Sequence, residues 1–219
     1  MENTKTTEIN NGILLTEYTD GLLFGTDALL LARFVKGGRY KKGVDIGTGS
    51  GPISLILLSE NKAAHMTGID IQQRCADLAK HNAEANGYGE RFTAVCGDVR
   101  DPAGLFPVGE ADFVVSNPPF MKAGAGKHND TEAKTIARHE EFLPAEDLCA
   151  AAAFYVKYGG SFYVVYRPER VCTLICAMKK HGLEPKRICF ASATEKCALV
   201  FIEAKKGGAE GVDISFLKI

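Results

Sequence analysis

The chain has 219 residues, 46% of them hydrophobic and 24% charged, with a formal net charge of −1. That balance excludes the disordered, fibrous and disulfide-scaffold classes, and it excludes a surface that binds nucleic acid through bulk positive charge. The longest apolar stretches, such as 28–32 and 55–58, fall well short of the roughly 20 residues that cross a bilayer, and the polar start has no apolar signal core, so neither a membrane partner nor secretion is expected.

In chain order, a polar start is followed by two short apolar pieces, 13–17 and 21–24, and by a helix over 26–35 with Thr26 as its N-cap. Residues 1–36 read as an N-terminal flank or lid, and 37–219 as the main domain. From residue 43 onward, short apolar runs ending in Gly, Asp or Asn alternate with stretches of helical period, which predicts parallel strands joined by crossover helices. Strands are expected at 43–46, 64–70, 91–97, 111–116, 161–166, 187–192 and 198–204, and helices at 52–59, 72–85, 144–157 and 169–181. The last two strands are joined by 193–197, too short for a crossover, so an antiparallel hairpin should close one sheet edge. The fold class is α/β: a doubly wound, mostly parallel seven-stranded sheet with an antiparallel last strand. Residues 121–134 form a long polar segment containing Lys122, of the kind that is usually functional or disordered.

Seven cysteines (75, 96, 149, 172, 176, 189 and 197) contain no Cys-x-x-Cys. Reduced thiols in a cytoplasmic protein fit this usage. Cys172 and Cys176 share a helical face, but no further ligands lie nearby, so no metal is expected.

The chemistry begins at Val44-Asp45-Ile46-Gly47-Thr48-Gly49-Ser50-Gly51, a strand running into a glycine-rich turn and a helix. Glycines permit positive φ and close ligand approach, and free amides at a helix start attract anionic groups. Nineteen residues beyond Gly51, Asp70 ends the second strand, where a carboxylate can accept from both hydroxyls of a ribose. Asp98 ends the third strand, placed to reach an adenine edge; Ile71 and Val99 follow the two acids and complete the cofactor set. A dinucleotide fingerprint would need glycine at position 52, which is Pro52, and no Lys-Ser or Lys-Thr follows for a phosphate loop. What remains is an adenosine ligand without phosphate, and S-adenosylmethionine fits.

Ser116-Asn117-Pro118-Pro119-Phe120 ends the fourth strand. The two prolines fix the turn and lack amide donors, leaving carbonyls to accept. If the Asn117 side-chain oxygen and the Pro118 carbonyl each accept one hydrogen of an exocyclic amine, the nitrogen can turn its lone pair on a methyl group while Phe120 stacks the extruded base. The nucleophile is neutral, so alignment and desolvation rather than a strong base would supply the rate.

At these residues the chain resembles the class I S-adenosylmethionine-dependent methyltransferases, through Asp45 to Gly51, Asp70, Asp98, Asn117 to Phe120 and the final antiparallel strand. More narrowly it is similar to the bacterial tRNA adenine-N6 methyltransferases that modify valine tRNA beside the anticodon, through Phe24-Gly25-Thr26-Asp27-Ala28-Leu29-Leu30-Leu31, Asn-Pro-Pro-Phe, and Ala137-Arg138-His139-Glu140 ahead of Asp147-Leu148. The resemblance implies tRNA as partner and cofactor contacts from Gly47, Gly49, Asp70, Asp98 and the segment 24–27, with Asn117 and Phe120 at the target base. Several members carry Tyr where this chain has Phe120, which keeps stacking and loses a hydroxyl. Arg138 and His139 could order the polar loop against the phosphate backbone or the cofactor carboxylate, or be an ordinary exposed pair at a helix start.

Two basic clusters, Arg33, Lys36, Arg39, Lys41 and Lys42, and Lys179, Lys180, His181, Lys186 and Arg187, are candidate phosphate contacts or simply solvated helix ends. Competing readings are N5-methylation of a glutamine amide in a protein, guanine-N2 methylation of ribosomal RNA, and a non-catalytic RNA-binding or cofactor-sensing module. The first typically resembles this core behind a helical substrate domain, for which about 40 residues are too few, and many of the second carry a duplicated domain.

Overall fold

The computed structural model describes residues 3–118 and 143–219, except Asn11, Leu22 and Tyr40. An N-terminal hairpin, β1 (Thr4–Ile9) and β2 (Ile13–Tyr18), precedes α1 (Thr26–Phe34). Then follow β3 (Lys42–Ile46), α2 (Pro52–Ser59), β4 (His65–Asp70), α3 (Gln73–Ala85), β5 (Phe92–Cys96) and β6 (Ala111–Ser116). The second half is α4 (Ala145–Tyr155), β7 (Val156–Tyr166), α5 (Val171–Lys180), β8 (Leu183–Ser192), β9 (Leu199–Lys206) and β10 (Asp213–Lys218).

The main sheet has the order β10-β8-β9-β7-β6-β3-β4-β5. β3 through β7 are mutually parallel, and β9 runs antiparallel to both β7 and β8. The mostly parallel architecture is the expected one, with three differences. The antiparallel strand β9 is not at the edge but inserted between β7 and β8. An eighth strand, β10, pairs parallel to β8 and takes the edge. Its residues are all exposed, so it carries no core pattern from which a strand could be read. A third difference is at β7, which starts directly at Val156, because the segment 156–160 pairs with β6 through a register shift rather than forming a loop.

The central strands β3, β4 and β6 are buried on both faces, as parallel strands with helical crossovers require. On one face Val44, Ile46, Val114 and Val164 pack against Leu148 and Tyr155 of α4 and Leu174 of α5. On the other, Phe113, Val115 and Val165 meet Leu31 of α1 and Leu55 of α2, with Leu15 of β2 in the same core. The flank 1–36 therefore shares the core of the sheet. Asn82 of α3 and Asn86, its C-cap, hold the flank's hairpin in place. Asn82 exchanges both hydrogen bonds with the Thr16 backbone (3.0 and 2.8 Å), and Asn86 does the same with Leu14 (2.8 and 2.7 Å).

Strand order reverses between β3 and β6: β4 and β5 lie on one side of this pair, and β7 on the other. In open α/β sheets that switch point opens a crevice at the carboxyl ends of the strands, where ligands bind. The Ser116 hydroxyl donates to the Ile46 carbonyl (2.8 Å), tying together the two strand ends that carry the glycine turn and Asn117.

Candidate active site

The glycine turn adopts the backbone its composition demands, with φ of 72° at Gly47, 57° at Gly49 and 84° at Gly51. Gly47 and Thr48 donate to the Ile69 carbonyl (2.8 and 3.1 Å), and Gly49 donates to Asp70 Oδ2 (2.9 Å). A Cβ on Gly47 or Gly49 would meet no protein atom within 4 Å, so both face open space. That space is a cavity of about 410 Å³, within the range of small-ligand sites.

Asp45 holds the turn from behind. Fully buried, it accepts from Thr48 Oγ1 (2.9 Å) and Ser54 Oγ (2.8 Å), while its Oδ1 has no partner. Burial pushes its carboxyl up to about 6, against the lowering effect of the two hydroxyls. It does not line the cavity, and neither do Gly51 and Thr26. The geometry thus gives Asp45 a supporting position, and Gly25 rather than Thr26 is the N-cap of α1.

Thr48, Asp70, Ile71, Asp98 and Val99 do line the cavity, joined by Cys75 and Leu78 of α3. Asp70 is nearly buried, and burial raises its carboxyl above the ordinary range, although the Gln72 and Gly49 amides lower it. Each oxygen accepts one amide (2.9 Å to Gln72 and 2.9 Å to Gly49), which leaves a lone pair on each for a ribose hydroxyl. Asp98 is more committed than its sequence position suggests. Arg100 Nε donates to both oxygens (2.9 Å each) and Nη2 adds a 2.5 Å contact, an arrangement that lowers the carboxyl below its usual range.

Asn117 and Pro118 close the cavity from β6, and Asp27 faces them from α1. Asn117 Nδ2 donates to Asp27 Oδ2 (3.2 Å), and Asp27 Oδ1 accepts from the Ala28 amide (2.9 Å). With its NH₂ end held by a carboxylate, the Asn117 amide keeps its oxygen as the acceptor end. Pro119, Phe120, Lys122, Arg138 and His139 lie outside the described residues, as does the segment 121–134.

The hairpin supplies wall residues that sequence reasoning missed. Glu17 and Tyr18 of β2 line the cavity. Glu17 is 8% exposed and its Oε1 accepts from the Phe24 amide at 2.5 Å. Burial raises its carboxyl, countered by the Phe24 amide, Lys5 and Ser50. Arg74 stacks over the Tyr18 ring at 3.9 Å and pairs with Asp20 at 2.7 Å. Glu17 shares the buried face of β2 with Ile13 and Leu15, and nothing local in 13–18 shows that this face meets a ligand cavity.

Both basic clusters sit away from this cavity. Lys41 and Lys42 lie at the amino end of β3, about 13 Å of strand from the glycine turn. The second cluster is largely paired with acids: Lys179 with Glu184 (2.7 Å), Lys180 and His181 with Glu146 (2.7 and 2.6 Å), and Arg187 with Glu203. Among the described residues, no group of three His, Cys, Asp or Glu could hold a metal, and no helix is long and apolar enough to cross a membrane.

The family described as "Methyltransferase small domain" matches residues 19–180. A tRNA1(Val) (adenine(37)-N6)-methyltransferase of Porphyromonas gingivalis is 33% identical over 153 residues, 67% of this chain and 59% of that protein. Its namesake in Aeromonas salmonicida is 26% identical over 173 residues, covering 78% and 70%. The chain thus spans about 59% of the length of the first of these curated relatives. Among solved structures, a predicted O-methyltransferase from Agrobacterium tumefaciens superposes with a TM-score of 0.70 at 22% identity, over 88% of this chain and 86% of that one. The tRNA m1G37 methyltransferase of M. jannaschii gives 0.68 at 18% identity, over 94% and 58%; at such identities the likeness is one of fold. Residues 19–180 are a methyltransferase small domain, and the chain belongs to that family of S-adenosylmethionine-dependent methyltransferases.

Proposed function

We propose that the protein transfers a methyl group to the exocyclic N6 amine of an adenine in tRNA, beside the anticodon of a valine tRNA. The observation that carries this reading is the Asn117 amide. It lines the same cavity as Gly47, Gly49 and Asp70, at the strand-order switch, with its NH₂ end engaged by Asp27 and its oxygen left to accept. The names of the Porphyromonas and Aeromonas relatives support the choice of tRNA adenine.

S-adenosylmethionine, when bound, supplies a methyl group made electrophilic by its positive sulfur. The chain's residues do the rest. Gly47 and Gly49 leave room for the ligand beside the backbone, and Asp70 offers lone pairs to a ribose. Asn117 Oδ1 and the Pro118 carbonyl each accept one hydrogen of the amine, drawing its lone pair out of conjugation with the ring and toward the methyl carbon. The carbon–sulfur bond breaks as the carbon–nitrogen bond forms, and the nitrogen's surplus proton passes to solvent. By their place in the sequence, Phe120 is assigned to stacking on the extruded base and Pro119, Lys122, Arg138 and His139 to RNA contact. Lys41 and Lys42, remote from the crevice, act on RNA phosphates outside the target nucleotide. Such an enzyme works in the cytoplasm.

Purified protein, total tRNA and methyl-labelled cofactor test this. Label should appear as N6-methyladenosine in digested tRNA, and Asn117→Ala should abolish it while S-adenosylhomocysteine still binds. Label only in protein, or only in guanosine, refutes the reading.

A further inference from the structure

We propose that Glu17, carried into the cavity by the N-terminal hairpin, is the anionic partner of the cofactor's α-ammonium group. The inference rests on S-adenosylmethionine as the ligand and not on the choice of RNA.

The argument is one of charge accounting inside one cavity. Among the described residues, four carboxylates line it: Glu17, Asp27, Asp70 and Asp98. Asp98 already has a cation, Arg100, at 2.5 Å. Asp27 is spent on the Asn117 amide and the Ala28 N–H. Asp70 bridges the Gly49 and Gln72 amides at the end of β4, on the ribose side of the glycine turn. Asp45, the other acid of the turn, lies behind it and reaches no ligand. Glu17 remains. It is nearly buried, its nearest donor is the neutral Phe24 amide, and it stands beside Ser50 of the turn. Of the two guanidiniums on the wall, Arg74 is occupied by Asp20 and the Tyr18 ring, and Arg167 donates to the Ala198 carbonyl (3.4 Å). The cation that Glu17 does feel is Lys5, an exposed residue opposite it in the hairpin register. A carboxylate taken out of water needs a cation or several donors to remain ionised. The amino-acid end of the cofactor brings an ammonium with three donors to the glycine turn.

The hairpin's anchoring fits this role. Asn82 bonds to the Thr16 backbone, next to Glu17, and also to the Ser50 carbonyl (2.9 Å), so one side chain sets the distance between the carboxylate and the turn.

Calorimetric titration with two ligands tests the assignment: S-adenosylhomocysteine, and its analogue with the α-amino group replaced by hydrogen. Wild type should prefer the amine-bearing ligand by tenfold or more, consistent with a charge-assisted contact. Glu17→Gln keeps an oxygen for the Phe24 amide and should compress that preference to less than threefold, by weakening S-adenosylhomocysteine alone. Parity of the two ligands on wild type overturns the inference, since no group then recognises the ammonium; a preference that survives E17Q intact overturns it too and leaves the ammonium to another carboxylate of the wall. If E17Q does not hold a wild-type melting curve, Glu17→Asp, which withdraws the charge by one methylene, is read in the same way. No RNA is present, so this outcome is independent of whether tRNA adenine is the acceptor; failure of wild type to bind S-adenosylhomocysteine at all would instead overturn the cofactor reading.

Discussion

Asp27 is the residue on which the site's geometry makes the sharpest demand. A carboxamide has an accepting end and a donating end, and an amine about to be methylated needs the accepting one. At Asn117 the choice is made by Asp27, which is acceptor-only when ionised and takes Nδ2 at 3.2 Å. Replacing Asp27 with Ala removes that preference and leaves the amide free to rotate. A half-buried hydrogen bond to a charged group contributes about 1.5 kcal/mol, so kcat/KM for tRNA should fall about tenfold, carried mainly by kcat. Asp27→Asn still offers a neutral acceptor and should cost less, about threefold. Asp27 also lies in the first turn of α1 and bonds the Ala28 amide, so D27A should lose up to about 1 kcal/mol of stability; melting curves separate that loss from catalysis. Steady-state methylation of tRNA, with titration of S-adenosylhomocysteine, decides the matter. An affinity for the cofactor product that drops by the same factor as kcat/KM would make Asp27 a cofactor contact, and the positioning argument would be wrong.

Other expectations follow from the same geometry. Asn82→Ala strips the fully buried anchor between α3, β2 and the glycine turn and should cost about 3 kcal/mol, with faster amide exchange at Thr16 than elsewhere in the sheet; uniform exchange contradicts the anchoring role. Gly49→Ala forces a side chain into a φ of 57°, a cost of about 1 kcal/mol, but its Cβ meets only the cavity. Cofactor binding should therefore suffer far more than stability, and equal losses would show that the turn does not face the ligand. Asp45 has a folded value raised from 3.8 to about 6. Between these pH values the folded state keeps a proton that the unfolded chain has released, so wild type loses up to about 3 kcal/mol as pH rises through the window, and nothing further above it. Asp45→Asn cannot titrate, so urea midpoints at pH 4 and pH 7.5 should show wild type losing ground to D45N; a constant gap sinks this account. Reversing the charges of Lys41 and Lys42 should leave kcat unchanged, with any effect confined to KM for tRNA and its salt dependence; a drop in kcat at saturating tRNA would place them closer to the chemistry than β3 allows.

What could be read without coordinates was whatever depends on residues close in the chain. The turn at Gly47, Gly49 and Gly51 was legible because positive φ is a local property that glycine alone adopts cheaply. Asp70 was legible because a strand, a turn and a helix of ordinary length fix how far along the chain the next strand ends. Asn117 could be placed at a strand's end, though not beside Asp27, 90 residues earlier. The docking of β2 on α3 through Asn82 and Asn86 depends on pairings 66 and 72 residues apart, the insertion of β9 between β7 and β8 on the pairing of Ser161 with Lys205 through Tyr166 with Val200, and β10 on an edge with no core pattern. Glu17 shows the division most clearly. The apolar piece 13–17 that it ends is visible in the sequence, but its burial beside the glycine turn exists only once a helix from elsewhere in the chain holds that segment against the cavity, because the burial of a charge is a property of everything packed around it.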